Sequence, residues 1–216
     1  MRIRVTFSKT GALRYTGHLD LHTIWERAAR RAGLDLTYSQ GFRPQPKIQL
    51  ASALPLGFSS HCELADLWLN GEPDLESLPE RLQTAMPSGI GILHVEPVDE
   101  RAAPLQTRLL AAEYEATLPD DFDASSLDKR LAAVMDAASL PRERRGKTYD
   151  LRPLIESLSI TPGPSPDGRG GKILMRLAAR EGATGRPEEV LDALGIPPEA
   201  ARVERTRLIF SPESVK

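Results

Sequence analysis

The chain has 216 residues, a formal net charge of -2 at pH 7, 40% hydrophobic residues and a single cysteine, Cys62. No apolar run approaches the roughly 20 residues that span a bilayer, and the N-terminus has no signal-peptide apolar region, so we expect a cytoplasmic protein without a membrane partner. One cysteine excludes a disulfide framework and argues against a zinc ribbon or an iron–sulfur cluster within the chain.

The small net charge hides an uneven distribution of charged residues. Residues 1–50 carry nine Lys/Arg and three Asp/Glu, residues 51–140 carry five and sixteen, and residues 141–216 carry fourteen and eleven. The three segments therefore have net charges of +6, -11 and +3. A basic N-terminal segment suits an anionic partner, but the charges could equally solvate separate faces, because blocks in the sequence need not form patches in space.

The first half of the chain predicts the order strand, helix, strand, strand, helix, strand. Polar and apolar residues alternate over residues 2–7, which predicts a half-buried strand. Leu21, Trp25 and Ala28 recur at helical spacing, and Gly33 ends the helix predicted over 18–32. One glycine and two prolines make residues 39–46 an ordered turn or an extended loop. The remaining predictions in this half are strands over 48–54, 63–69 and 91–98, and a helix over 75–86.

The second half repeats this order more loosely. It predicts strands over 110–118, 172–179 and 202–210, helices over 126–138 and 187–194, an extended segment over 147–160 with a helical turn near Pro153, and a hairpin loop over 162–171. Ser125 or Ser126 would cap the first of these helices. We therefore expect an α+β fold of two ferredoxin-like halves, 1–98 and 109–216, joined by a linker over 99–108. Each half would be an antiparallel sheet with its helices on one face.

Candidate ligand-binding side chains concentrate in the first fifty residues. Arg27, Arg30 and Arg31 lie close together on the predicted helix, and such like charges repel unless acidic residues or an anionic ligand compensate them. Glu26 can pair with Arg30. Arginine grips phosphate bidentately, so this cluster beside a loop with more cations suits a nucleic-acid backbone, whereas a solvated helix face remains the alternative.

Aromatic residues are interleaved with these cations. Tyr38 and Phe42 flank the predicted turn, where they could stack on a base or fix the turn to the core. The full predicted nucleic-acid-binding set is Lys9, His18, Arg27, Arg30, Arg31, Tyr38, Phe42, Arg43 and Lys47.

The sequence contains no complete catalytic or metal-binding set. His18 and His22 share a helix face, but the glutamate of the zinc-protease motif is missing and a third ligand would have to come from elsewhere, so no metal site is predicted. His18 is the candidate general acid or base, beside Lys9 or Asp20. Cys62 and its neighbour His61 would face opposite ways on a strand, which argues against a nucleophile–base pair.

Two further basic segments lie in the second half. Residues 142–147 are predicted to be a loop that could make flexible phosphate contacts. Residues 168–172 lack the strand–loop–helix setting of a phosphate loop and are predicted to be a hairpin turn.

Several short runs resemble one family. They are Phe7-Ser-Lys-Thr-Gly11, Gly17-His-Leu-Asp-Leu21, Arg27-Ala-Ala-Arg-Arg-Ala-Gly33, Tyr38-Ser-Gln-Gly-Phe42, Pro44-Gln-Pro-Lys47 and Leu54-Pro-Leu-Gly57. Together they resemble the radical-SAM-linked domain of unknown function, densely over residues 3–69 and loosely afterwards. Arg43 stands where that family usually has asparagine, and Gln45 where it usually has histidine.

The resemblance implies association with radical SAM chemistry, because the domain occurs alone or at the C-terminus of a radical SAM protein. S-adenosylmethionine and the iron–sulfur cluster would belong to the partner enzyme, since one cysteine cannot supply the Cys-x3-Cys-x2-Cys motif of the cluster. The family's gene neighbourhood points to RNA or the ribosome as a further partner.

Three hypotheses follow. The chain is an accessory module that grips RNA or another anionic substrate for a radical SAM enzyme. Alternatively, it is an RNA-processing or RNA-modifying enzyme that uses His18 as general acid or base. In the third, it is a protein–protein adaptor whose acidic middle segment docks a basic partner.

Overall fold

The computed structural model describes residues 1–124, 126–144, 146–163 and 169–212. The chain forms two compact units, one of Met1–Arg108, to which Ser211 returns, and one of Leu109–Phe210. Both units combine helices with antiparallel strands, which confirms the α+β class. None of the helices in the described ranges combines the length and apolar character that a membrane crossing needs.

The first unit contains these elements in chain order: β1 (Arg2–Lys9), α1 (His18–Arg31), β2 (Ile48–Leu50), β3 (Ser59–Trp68), α2 (Leu78–Ala85), β4 (Ile90–Val98) and α3 (Leu105–Arg108). Its strands pair in the order β2-β3-β1-β4, and each pairing is antiparallel.

One face of this sheet forms the core with α1. The alternating residues Ile3, Val5 and Phe7 of β1 are fully buried, as the period of a strand requires for a covered face. Trp25 of α1 packs on Phe7 edge-to-face, with the ring centroids 4.9 Å apart. Leu21 of α1 is buried in the same core. The core therefore fixes α1 across the sheet.

The opposite face of β1 and β3 carries a buried ionic network. Arg2 and Asp66 are 1% and 0% exposed, and Arg2 Nε donates to Asp66 Oδ2 at 3.1 Å. Arg4 Nε donates to Asp66 Oδ1 at 2.9 Å. Arg2 Nη1 also donates to the Ala102 carbonyl at 2.6 Å, and its guanidinium lies 4.6 Å from the centre of the Trp68 ring. Arg2 thus ties the segment before α3 to the sheet.

The second unit contains these elements in chain order: β5 (Leu109–Asp123), α4 (Leu127–Asp136), β6 (Pro141–Arg144), β7 (Lys147–Asp150), β8 (Ile155–Pro162), β9 (Arg169–Arg180), β10 (Ala183–Thr184), α5 (Pro187–Ala193) and β11 (Arg202–Phe210). The main strands pair antiparallel in the order β8-β9-β5-β11. β10 pairs with the end of β9, and β6 and β7 form a separate hairpin.

Most predicted elements are present with shifted ends. The helical turn near Pro153 is confirmed as a 3-10 turn over Arg152–Leu154. The prediction that residues 142–147 form a loop is wrong, because β6 and β7 pair through this segment. Ser126 makes no side-chain capping hydrogen bond, and Ser125 lies outside the described residues. Part of the predicted hairpin loop over 162–171 also lies outside them.

Candidate functional site

The residues predicted to bind nucleic acid separate into two groups along α1. Lys9, the last residue of β1, lies close to the start of α1, where His18 is the first residue. Arg27, Arg30 and Arg31 lie in the last turns of the helix. A rise of 1.5 Å per residue puts about 20 Å between position 18 and position 31. The structure therefore does not bring the whole predicted set together.

Lys9 belongs to a buried polar cluster rather than to an exposed surface. It continues the buried face of Ile3, Val5 and Phe7, is 1% exposed, and donates from Nζ to the Thr16 carbonyl at 2.8 Å. The expectation that Lys9 shares a surface with the arginines is thus not met, because its ammonium group is turned into the protein.

The partner strand supplies the other members of this cluster. Glu63 pairs with Phe7 and Ser60 pairs with Lys9 in the register of β1 and β3. Both residues are buried, at 2% and 0% exposure. Directly opposite residues of an antiparallel pair point to the same face, and the register is irregular between these two pairs. Ser60 and Glu63, three residues apart, therefore both lie on the side of the sheet that α1 covers. The cluster of Lys9, Ser60 and Glu63 ends the core below the start of α1.

His18, the first residue of α1, is exposed to solvent, but the charges of this cluster affect its pKa. Burial of part of its imidazole lowers its pKa below 6.5, and the charges of His22 and Lys9 lower it further, whereas Glu63 opposes them. At neutral pH the imidazole is therefore largely neutral, so it can accept a proton or a hydrogen bond.

The neighbouring thiol has a local contact of its own. Cys62 is half-buried, its backbone N–H donates to Ser60 Oγ at 3.2 Å, and its Sγ lies 3.5 Å from the same oxygen. Within the described ranges, no three His, Cys, Asp or Glu side chains are grouped so that they could hold a metal ion.

The arginines at the other end of α1 are exposed and only partly compensated. Arg30 donates to Tyr38 Oη at 2.8 Å and forms an ion pair with Glu26 at 2.7 Å. The side chains of Arg27 and Arg31 make no hydrogen bond or ion pair with any residue that the structure describes. Two uncompensated positive charges therefore remain on this face.

The end of α1 is held by a Schellman motif, which fixes the direction of the following loop. Gly33 has φ +69°, its N–H donates to the Arg30 carbonyl at 3.1 Å, and the Leu34 N–H donates to the Ala29 carbonyl at 2.9 Å. Arg81 of α2 donates from Nε to the Ala32 carbonyl at 3.1 Å. The last turn of α1 and the chain after it are thereby fastened to α2.

The loop after α1 is closed by hydrogen bonds across its base. The Lys47 N–H donates to the Thr37 carbonyl at 2.7 Å, and the Ser39 N–H donates to the Gln45 carbonyl at 2.8 Å. The Gln45 N–H donates to Ser39 Oγ at 3.0 Å. This ladder confirms the predicted ordered turn over residues 39–46.

The tip of this loop presents an aromatic ring and a cation to solvent. Phe42 is fully exposed and Arg43 beside it is exposed, so Phe42 does not fix the turn to the core. Tyr38 instead connects the loop to the helix through Arg30. We call Arg27, Arg30, Arg31, Tyr38, Phe42 and Arg43 the basic surface. Lys47 is exposed just before β2. The N-terminal ammonium group is the main cause of the lowered pKa of Glu100, and the charge of Lys47 adds to it.

Sequence reasoning missed Glu63 and Asp66. Both are acidic residues within β3, and both are buried in the structure. Glu63 precedes Ala65, Leu67 and Leu69 in the period of a strand, which was the available signal for a charge at a core position.

A family model described as "Uncharacterized protein conserved in bacteria (DUF2344)" matches residues 2–187. None of the curated proteins matches the chain. Among solved structures, a protein of unknown function from Galdieria sulphuraria is 14% identical with a TM-score of 0.27, covering 96% of this chain and 98% of its own. A candidate glycine cleavage system transcriptional repressor is 12% identical with a TM-score of 0.25, covering 97% and 98%. Such low scores carry no conclusion on fold or function.

Proposed function

The chain belongs to the DUF2344 family of conserved bacterial proteins, and we propose that it is an accessory binding module that grips RNA through the basic surface. The proposal rests on the exposed cations of α1 and on the loop that follows them. RNA is the anionic ligand that fits best, because it offers phosphates to the arginines and bases to an exposed ring.

The charge of α1 supports this proposal. Arg27 and Arg31 lie four residues apart on one face, where like charges destabilise a helix slightly when nothing neutralises them. Because Glu26 is already paired with Arg30, it does not neutralise them. The phosphates of an RNA backbone would neutralise these two arginines, because an arginine can contact a phosphate with two parallel hydrogen bonds.

The observation that carries the proposal is the exposure of Phe42. The large apolar ring of Phe42 lies at the tip of a hydrogen-bonded loop and is fully exposed to solvent. Stacking on an unpaired base would cover it, and such stacking contributes about 1–3 kcal/mol per base. Because the loop is already ordered, little conformational entropy would be lost when RNA binds.

We further propose that the partner is a radical SAM enzyme, in line with the resemblance over residues 3–69. That enzyme would hold S-adenosylmethionine and the iron–sulfur cluster, while this chain would present the RNA. Both proteins would then act in the cytoplasm. Co-purification with the enzyme that survives ribonuclease treatment would support direct contact, whereas loss of the complex on treatment would contradict it.

The finer description of the fold is also a proposal, namely that each unit is a ferredoxin-like domain. The strand orders β2-β3-β1-β4 and β8-β9-β5-β11 support it, because in each the first strand of the unit lies between the third and the last main strands. An experimental structure in which either unit has another strand order would contradict it.

The test of RNA binding uses fluorescence anisotropy with a single-stranded RNA. The double variant Arg27→Gln/Arg31→Gln should bind at least about tenfold more weakly, since two charge-assisted contacts are lost. Phe42→Ala should also bind about tenfold more weakly through lost stacking.

Matched controls use exposed residues elsewhere. Lys129→Gln removes a cation from α4, and Leu93→Ala removes an exposed apolar side chain from β4; neither should change the affinity. The proposal would be overturned if the wild-type protein binds no RNA, or if the control variants lose as much RNA affinity as the test variants.

A second candidate function, RNA cleavage or modification with His18 as the general base, is favoured by one observation. His18 has a lowered pKa and lies within the electrostatic reach of the buried Lys9 and Glu63. Turnover should then rise as the pH increases through this pKa, and His18→Ala should abolish it while RNA binding survives. Turnover that is unchanged in His18→Ala, or absent from the wild type on total cellular RNA, would remove this candidate.

A further inference from the structure

A cleft of about 400 Å³ lies in the second unit, away from the basic surface in sequence. Its lining includes the cations Arg144, Lys147 and Arg186 and the acid Asp150. These four residues have a net formal charge of +2. Leu154 adds an apolar wall. The volume suits a small organic ligand rather than a single ion.

The hairpin of β6 and β7 places two of these cations side by side. Arg144 pairs directly with Lys147, and Arg142 pairs with Tyr149, so strand alternation puts all four side chains on one face of the hairpin. That face is turned towards α5, because the Tyr149 hydroxyl donates to a Glu189 carboxylate oxygen and Arg142 Nη2 lies 3.4 Å from Asp192 Oδ2.

Two of the acidic groups near the cleft accept hydrogen bonds within the unit, and a third is only weakly paired. Asp150 Oδ1 accepts the N–H of Leu140 at 2.7 Å and that of Arg152 at 3.0 Å. Glu189 accepts the Tyr149 hydroxyl. Glu188 Oε1 reaches Arg186 Nη1 only at 3.4 Å, which is long for an ion pair with good geometry.

The cations at the open end of the hairpin lack such partners. Neither the Arg144 nor the Lys147 side chain forms an ion pair or hydrogen bond with another of the described residues, and both are exposed. Glu188 compensates Arg186 only at 3.4 Å, and Glu189 lies within electrostatic reach of Arg144 without forming an ion pair with it. A bound anion would add to this partial compensation.

We propose that this cleft is a separate anion-binding site that takes the phosphate group of a small phosphorylated ligand. The planar guanidiniums of Arg144 and Arg186 would contact the phosphate oxygens, Lys147 would add a point charge, and Leu154 would pack on the body of the ligand. The site does not depend on RNA binding by the basic surface.

Isothermal titration calorimetry of the full chain with pyrophosphate and with a nucleoside monophosphate, at constant ionic strength, tests this proposal. The wild type should bind at least one of them saturably. Lys147→Gln and Arg186→Gln should each weaken binding by about tenfold or more, because each removes a charge-assisted contact. Lys129→Gln is the matched control and should bind like the wild type.

Absence of saturable binding to both probes, wild-type affinity in both cleft variants, or an equal loss in Lys129→Gln would overturn the proposal. Circular dichroism would show whether each variant folds. Should Arg186→Gln unfold, Lys147→Gln decides the outcome, because the Lys147 side chain is exposed and forms no hydrogen bond or ion pair with another described residue. The cleft variants should also keep wild-type RNA affinity, and equal losses in both assays would contradict a separate site.

Discussion

At the scale of single residues, the described part of the first unit buries charges in two places, on opposite faces of its sheet. Lys9 and Glu63 end the helix-side core, and Arg2, Arg4 and Asp66 form a network on the other face. Buried charges cost much desolvation energy and persist only where partners compensate them. Substitutions that remove one partner at these positions should therefore lower the stability of the first unit strongly.

The Asp66 network gives a direct stability prediction. Asp66→Asn removes the negative charge between Arg2 and Arg4, so it should lower the free energy of unfolding by about 3–5 kcal/mol. Chemical denaturation followed by circular dichroism measures this loss. Glu26→Gln is the control: it breaks only the exposed pair with Arg30 and should cost no more than about 1 kcal/mol. An Asp66→Asn loss as small as that of the control would contradict a buried ionic network.

The pKa of His18 gives a second residue-scale prediction. NMR titration should place this pKa below 6.5, Glu63→Gln should lower it further, and His22→Gln should raise it, because the first removes a favourable charge and the second an unfavourable one. A His18 pKa at or above 6.5 would contradict the environment described for the imidazole.

The same shift has a consequence for stability. Because the folded-state pKa lies below the unfolded value, the unfolded chain binds more protons as the pH falls below about 6.5. The contribution of His18 to stability is thus present above the unfolded pKa and is lost as the pH falls through the folded pKa. His18→Gln should flatten this part of the pH–stability profile, and an unchanged slope would argue against it.

At the scale of elements, the end of α1 decides where the loop with Phe42 points. Gly33 adopts a left-handed conformation, and a Cβ there would lie 3.3 Å from Arg81 Nη2. Gly33→Ala should therefore destabilise the protein by about 1–2 kcal/mol, as thermal unfolding would show. Gly17→Ala, at the N-cap of α1 with a negative φ, would meet only an ordinary contact, and because alanine is a poorer N-cap residue it should cost about 0.5–1 kcal/mol, less than Gly33→Ala. Equal effects would contradict the role of the left-handed residue.

The elements that the sequence predicted well are those with a clear apolar period. β1 and α1 show it, and β11 spans the predicted residues 202–210. The extended start of the segment predicted over 147–160 is β7. β6 and its pairing with β7 were missed, because the residues of β6 are mostly charged and show no apolar alternation. α2 begins at Leu78 rather than at residue 75, since the Glu76 N–H donates to the Asp74 carboxylate in a turn before it.

At the scale of the whole molecule, the order of the predicted elements indicated the α+β class and the charge counts indicated a basic first segment, but neither showed how its cations divide. Sequence spacing placed Arg27 and Arg31 on one exposed face, as found. It could not show that Lys9 is buried, because only the register of β1 with β3 puts Lys9 beside Ser60. The cleft around Arg186 likewise combines segments about forty residues apart, which no local pattern reports.

The most direct test of the central claim is NMR mapping of a single-stranded RNA on the isotopically labelled full chain, at low and at physiological salt. The account predicts that shifts concentrate between residues 27 and 47, include Phe42, and fade as salt rises, because phosphate contacts release counterions. Shifts that concentrate outside this segment, or binding that is insensitive to salt, would contradict the basic surface as the working surface of the protein.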